Sequence, residues 1–305
     1  MIISASRRTD IPAFHADWMM NRLREGFVCI RNPYNPHHVS RVSLRREDAE
    51  AIVFWTKDAA NMLEKLNELE GRGYRYLFQY TLTPYGREIE RGVDHARAFD
   101  SLLRLSERIG KDRVIWRYDP ILLTDEWTID RHMRAFSDLC GRLEGATGRC
   151  VFSFIDLYGS VKRNAPHLRA PDENQMRMMA REIAVTAKRC GMLPSACAEK
   201  LDFTEEGLEP MGCIDRRDIE RVLGMPVRVQ KDPGQRAECR CIKSVDIGAY
   251  DTCLHDCAYC YAKTRKNVLA VNPDDPLLGG TIAPEDRIME RKEKGIAQTQ
   301  VSFLD

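Results

Sequence analysis

Short apolar runs alternate with longer stretches of helical periodicity from the first residue to about position 200. Ile2–Ser6 reads as an apolar strand, the stretch near Pro12–Glu25 as a helix, and Phe27–Ile30 as a further short strand. Ala51–Trp55 is a compact buried strand with Ala59–Glu70 as its helix. Tyr76–Leu82 alternates and is aromatic-rich, with Glu88–Ile109 helical behind it. Val114–Trp116, Cys150–Ile155 and Met192–Cys197 are expected strands. Thr128–Leu143 and Glu173–Cys190 are expected helices, the second ended by Gly191. Helices of ten or more residues between short apolar strands indicate parallel βαβ units, hence an α/β fold. Six or more units in sequence favour a TIM-type barrel, complete or partial, over a doubly wound sheet, and periodicity alone leaves that choice open.

At 305 residues the chain can bury a large core as one big domain, or as one domain with a small appendage. Residues 1–235 carry the expected barrel units, and 236–305 form a cysteine-rich segment expected to pack on the barrel mouth. Net charge is +1, from 47 basic and 46 acidic residues, so no bulk field draws the chain to nucleic acid or an anionic membrane. Met1-Ile2-Ile3-Ser4 lacks the features of a signal peptide, and no apolar run approaches the roughly 20 residues that span a bilayer. A cytoplasmic protein is expected, and reduced cytosol disfavours structural disulfides. The 11 cysteines are unevenly spread: seven fall between Cys197 and Cys260. Cys29, Cys140, Cys150 and Cys190 sit in apolar periodic segments and read as core residues.

Three of the seven stand in eight residues, Cys253-x3-Cys257-x2-Cys260. Three thiolates on one loop can hold a [4Fe–4S] cubane and leave one iron open, since four are needed to fill it. Zinc is the alternative, but structural zinc closes at four ligands, and His255 lies inside the first loop, where ligation would strain it. Buried, unliganded cysteines are the third reading.

This spacing, with the aromatic Tyr259 before the last cysteine, resembles the radical S-adenosylmethionine (SAM) superfamily. The flanking Tyr250-Asp251-Thr252-Cys253 and Cys260-Tyr261-Ala262 resemble spore photoproduct lyase and its relatives. Ile3-Ser4-Ala5-Ser6-Arg7-Arg8-Thr9-Asp10-Ile11-Pro12, Val53-Phe54-Trp55-Thr56-Lys57, Trp116-Arg117-Tyr118-Asp119-Pro120 and Asp246-Ile247-Gly248-Ala249-Tyr250 look like the uncharacterised family called domain of unknown function 1848. The resemblance runs over nearly the whole chain and implies a barrel, a cluster on Cys253, Cys257 and Cys260, SAM as cofactor, and a flavodoxin- or ferredoxin-like electron donor. It fixes no substrate: a small molecule, a peptide or a nucleotide-like compound all remain open. The layout is permuted, with barrel units first and cluster loop last. There is no Gly-Gly-Glu run to hold the SAM amino group.

Active sites of such barrels lie where strands run into their following loops. The polar residues at those points are Arg7, Arg8 and Asp10, then Thr56 and Lys57, Gln79 and Thr81, Arg117 and Asp119, Asp156, and Glu199. Arg8, Lys57, Arg117, Asp119 and Asp156 are expected to be catalytic, and Tyr259, Gln79 and Glu199 to join the three cysteines in holding cofactor. For each the plain alternative is a rim salt bridge or a helix cap; Asp10 before Ile11-Pro12 suits an N-cap. Cys197, Cys213, Cys239 and Cys241 suffice for a closed four-thiolate site, either a second [4Fe–4S] cluster or zinc, against a reading as packed thiols. His37-His38, on one strand, point to opposite faces and stay unassigned. Tyr118, Tyr158 and Tyr261 are candidate hydrogen donors, and the basic run Lys263-Thr264-Arg265-Lys266 is either a solvated face or a phosphate contact. A non-catalytic zinc or iron–sulfur protein is the competing class, with a nucleic-acid repair lyase a third, disfavoured by the neutral charge.

Overall fold

In the computed structural model, which describes residues 1–291, 295 and 296, the chain forms ten strands and nine α-helices among the described residues. In chain order they are β1 (Ile2–Ala5), α1 (Ile11–Phe14), α2 (Ala16–Glu25), β2 (Phe27–Asn32), β3 (Asn35–Ser43), β4 (Ala51–Thr56), α3 (Ala60–Leu63), α4 (Leu66–Gly71) and β5 (Tyr76–Thr81). Then follow α5 (His95–Ile109), β6 (Val114–Ile121), α6 (Ile129–Arg142), β7 (Arg149–Phe154), α7 (Gly159–Asn164), α8 (Glu173–Arg189), β8 (Leu193–Ala196), α9 (Arg216–Leu223), β9 (Val245–Asp246) and β10 (Arg287–Arg291).

Seven strands make one parallel sheet in the order β8-β7-β6-β5-β4-β1-β9. From β1 to β8 each strand pairs with the next sheet strand in sequence, without reversal of order. No pairing between β8 and β9 closes the sheet among the described residues, so a complete barrel is not what forms. The segment expected to lie on the mouth also enters the sheet, as edge strand β9. Its final residues, 292–294 and 297–305, lie outside the described residues.

Period-2 alternation sends successive residues of each strand to different apolar layers. Ile3, Ile52, Phe54, Tyr76, Phe78, Trp116 and Phe152 face the layer shared with Leu102, Leu105, Phe136, Leu139, Met179 and Ile183 of helices α5, α6 and α8. Ile2, Ala51, Val53, Leu77, Ile115 and Val151 face a second layer, covered by Cys213, Ile214, Ile219, Val227, Cys239, Cys241 and Ile242. The stretch 213–242 therefore covers the second face of the sheet. Two residues further along the same strands, that face turns polar: Trp55, Gln79, Arg117 and Ser153 stand where Val53, Leu77, Ile115 and Val151 stood.

Several expected boundaries move for identifiable reasons. The helix expected near Pro12–Glu25 divides at His15, whose Nε2 lies 2.9 Å from the Thr252 carbonyl. The helix expected over Ala59–Glu70 is two short helices with a continuous buried face of Met62, Leu66 and Leu69. Glu88–Val93 leave the expected helix because they pack on the cysteine loop, and α5 starts at its N-cap Asp94, which accepts from the Arg97 N–H at 3.1 Å. β6 runs on to Ile121. Phe27–Ile30 belongs to β2, which with β3 and β10 makes a separate three-stranded sheet holding His37 and His38. Among the described residues no helix is long and apolar enough to cross a membrane.

His132, on α6, is fully buried. Its Nε2–H donates to the Leu122 carbonyl at 2.7 Å, which leaves Nδ1 to accept from the Tyr118 hydroxyl at 3.0 Å. Burial lowers its pKa to about 4. The fold thus holds the neutral ring. That stabilisation is complete above the unfolded value of about 6.5 and is lost as pH falls toward 4. Urea unfolding at pH 7 and pH 4.5 should show wild type losing about 2–3 kcal/mol more than a His132→Gln variant over that interval. Equal losses in the two proteins would remove His132 from the account.

Candidate functional site

All seven C-terminal cysteines line one cavity of about 480 Å³ at the C-terminal ends of the sheet strands. The same cavity is lined by Arg7, Arg8, Asp10, Lys57, Arg117, Asp119 and Asp156.

The loop carrying Cys253, Cys257 and Cys260 is fixed by its backbone. Gly92 N–H donates to the His255 carbonyl and Ala258 N–H to the Ile89 carbonyl, both at 2.8 Å. A Cβ on Gly92 would lie 2.5 Å from Leu254 O and 2.9 Å from His255 O, so only glycine lets the two segments approach. Asp251 and Asp256 take left-handed φ values of 60° and 48°, which aspartate tolerates better than most residues. The Asp251 carboxylate then accepts from the Thr264 N–H, the Thr264 hydroxyl and the Arg265 N–H, closing the loop. Burial raises all three thiols, Cys253 to about 12.

Two carboxylates anchor the surroundings. Asp10 caps α1 through the Ala13 N–H at 2.9 Å, accepts the Lys57 N–H at 2.6 Å, and meets His255 Nε2 at 2.7 Å. His255 Nδ1 is buried without a hydrogen-bond partner among the described residues. Glu90 accepts from Lys57 Nζ and the Thr83 hydroxyl, both at 2.8 Å, and from the Tyr259 hydroxyl. Burial opposes ionisation of Glu90, but the Lys57 ammonium and the three donors outweigh it and hold the carboxyl below its usual range. Lys57 is likewise disfavoured by burial, and Glu90 with Cys257 more than offsets this.

A second cysteine set comes from three segments. Cys197 follows β8, Cys213 precedes α9, and Cys239 and Cys241 sit in the turn before β9. The sulfurs of Cys197 and Cys213 lie 2.8 Å apart, and the Cys241 sulfur accepts from the Ile214 N–H at 3.5 Å. A Cβ on Gly212 would lie 2.6 Å from Arg240 C and 2.7 Å from Cys241 N, so glycine is again what permits the approach. Arg117 Nη1 donates to the Cys213 sulfur at 2.9 Å, while its Nε and Nη2 reach Asp119 Oδ2 at 3.1 and 2.5 Å. Asp119 also accepts from the Ser153 hydroxyl. Trp55 takes the Arg7 guanidinium at 4.9 Å and the Arg117 guanidinium at 5.1 Å from its ring. Among the described residues no group of three or more His, Cys, Asp or Glu side chains is gathered in the geometry of a single-ion site.

The other expected residues fall into two groups. Arg8 lies on the wall and pairs with Asp246 at 3.0 Å; Asp156 pairs with Arg236 at the half-exposed rim at 2.7 Å. Gln79 is buried beneath the cavity, donating to the Cys213 carbonyl at 2.6 Å and facing Arg117 at 3.3 Å. Glu199 accepts the Phe154 N–H at 2.8 Å and faces a neighbouring groove, its pKa raised by burial to about 7. Tyr158 and Tyr261 stand at the mouth, whereas Tyr118 is buried in the helical layer. Glu90, Trp55 and Asp246 were not legible as site residues. Glu90 lies inside a helical pattern, and the only signal for Asp246 is its place in a short motif.

A family model described as Domain of unknown function (DUF1848) matches residues 2–262. No curated protein matches the chain.

Gly92→Ala should lower stability by about 1–3 kcal/mol, the usual cost of forcing an atom into a packed site. Faster hydrogen exchange should be confined to the contacts of residues 250–263, while Gly71→Ala, which meets nothing within 4 Å, stays near neutral. Equal melting curves for the two variants would contradict the close-approach argument. Removing Glu90 alone (Glu90→Leu) leaves Lys57 buried and unpaired and should cost about 3–5 kcal/mol in urea unfolding, with much of that recovered in the Lys57→Met/Glu90→Leu double variant. A double variant no better than the single would refute the pairing.

Proposed function

This chain belongs to the DUF1848 family, and we propose that it is a radical SAM enzyme whose [4Fe–4S] cluster is held by Cys253, Cys257 and Cys260. The observation that carries the reading is that three thiols on one short loop open together on a cation-lined cavity at the C-terminal ends of a parallel sheet. The donor set suits a cluster: three sulfurs on one loop face the cavity and leave one position free. When bound, such a cluster takes SAM at its free iron and, given one electron, supplies a 5′-deoxyadenosyl radical.

The chain's own residues then bind, orient and exclude water. Lys57 places a buried ammonium beside Cys257, offsetting thiolate charge, and Glu90 with Tyr259 fixes its position. Arg8 and Arg117, held by Asp246 and Asp119, are fixed cations for a carboxylate or phosphate of cofactor or substrate. Trp55 supplies an apolar surface between Arg7 and Arg117. The Asp156–Arg236 pair and the rings of Tyr158 and Tyr261 stand at the mouth. Gln79 acts from below by orienting Arg117.

We read the sheet as an incomplete TIM-type barrel. From β1 to β8 its strand order does not reverse, β9 joins at the free edge of β1, and the sheet helices α5, α6 and α8 share one face. The substrate class is a small molecule, a peptide or a nucleotide-like compound, reached in a reduced, cytoplasmic setting with a flavodoxin- or ferredoxin-like electron donor.

The test is anaerobic reconstitution with iron and sulfide, followed by SAM and dithionite. Wild type should form 5′-deoxyadenosine; Cys253→Ala, Cys257→Ala and Cys260→Ala should each lose that product and about four irons relative to wild type. An undiminished 5′-deoxyadenosine yield from any of the three, or a colourless zinc protein inert toward SAM, would sink the proposal.

A further inference from the structure

Beyond the three-cysteine loop, and independently of its chemistry, we propose that Cys197, Cys213, Cys239 and Cys241 form a second, closed four-thiolate metal centre. It takes a thiophilic metal, either an iron–sulfur cluster or zinc.

Three observations converge on it. The first is convergence itself. Four thiols from three segments line a single cavity, with the Cys197 and Cys213 sulfurs 2.8 Å apart and the Cys241 sulfur accepting from the N–H of Ile214, next to Cys213. The backbone approach that assembles them depends on the missing side chain of Gly212.

The second is charge. Arg7 and Arg117 both bear on this set. Arg117 donates to the Cys213 sulfur at 2.9 Å, and Arg7, over the Trp55 ring, lines the same cavity as all four thiols. Asp119 answers Arg117, but Asp246 is already bound by Arg8. A buried cation lacking a countercharge costs several kcal/mol, and neutral thiols supply none. Four thiolates around a divalent metal or cluster core carry a net charge of about −2, which would answer Arg7 and add to Asp119 beside Arg117.

The third is an unfilled donor. Arg7 Nη2 is buried with no hydrogen-bond partner among the described residues, and Arg7 lines the cavity beside these cysteines. Sulfur carrying full thiolate charge is the acceptor it lacks. Loading requires a small rearrangement. Tetrahedral zinc with bonds of about 2.3 Å needs sulfurs roughly 3.8 Å apart. Cys197 and Cys213 at 2.8 Å must therefore open. Both lie outside regular elements, where side-chain rotation suffices.

The test separates this centre from the loop. The triple variant Cys253→Ala/Cys257→Ala/Cys260→Ala is produced anaerobically with iron, sulfide and zinc supplied, and its bound iron, acid-labile sulfide and zinc are measured on the folded protein. We expect about four irons with sulfide, or about one zinc, per chain, and loss of that metal when Cys213→Ala/Cys241→Ala is added. Iron with sulfide identifies a cluster and zinc identifies a structural ion; either supports the centre. A folded triple variant with neither metal overturns it, as does metal that survives removal of Cys213 and Cys241. Should the triple variant fail to fold, Cys197→Ala/Cys239→Ala in an otherwise natural chain gives the same decision. One centre's worth of metal must disappear while the loop keeps its own, and unchanged metal content refutes the proposal. Neither arm reads SAM cleavage, so failure of the radical SAM reading leaves the outcome interpretable.

Discussion

The carboxylate of Asp10 holds together three parts of the molecule that are far apart in sequence. It caps the first helix, accepts the backbone N–H of Lys57 at the end of β4, and meets His255, 245 residues away, inside the cysteine loop. Each contact is short and buried, so each is strengthened by the low local dielectric. The Asp10–His255 contact is one of the ties that hold the loop over the sheet, beside the backbone hydrogen bonds of Gly92 and Ala258. The sequence-level alternative for Asp10, an N-cap, and its site role are one arrangement: capping fixes the carboxylate that the loop then uses.

The same economy recurs around the cavity. Ionised groups that a solvent-filled pocket would leave mobile are buried in pairs: Lys57 with Glu90, Arg117 with Asp119, Arg8 with Asp246. Buried pairs add little net stability, but breaking one is costly, and that cost fixes geometry. Two glycines, Gly92 and Gly212, complete the logic by letting backbone meet backbone where the two cysteine sets are assembled.

Much of this was readable in the chain. Parallel strands buried on both faces give continuous apolar runs, so β1, β4, β5, β7 and β8 are visible within a residue or two. The polar residues closing those runs, Arg8, Lys57, Arg117 and Asp119, line the cavity because strand periodicity carries them to the same face as Val53 and Ile115. What could not be read depends on tertiary contact. Glu90 has the pattern of a helix until the cysteine loop claims its backbone. Gln79 and Glu199 lie at strand ends, but the stretch 213–242 covers the inner face and diverts them, one beneath the cavity and one to a neighbouring groove. That stretch, poor in regular structure, gives no periodic signal that it covers one face of the sheet.

The cysteine loop's position late in the chain bears on biogenesis. A ribosome adds roughly 5–20 residues per second, and about 60 residues separate the end of β8 from Cys253. The strand scaffold therefore exists for seconds before its closing segment emerges. During that window the face that residues 213–242 later cover is still open, and the cavity lined by all seven cysteines exists only once residues 253–260 have joined it.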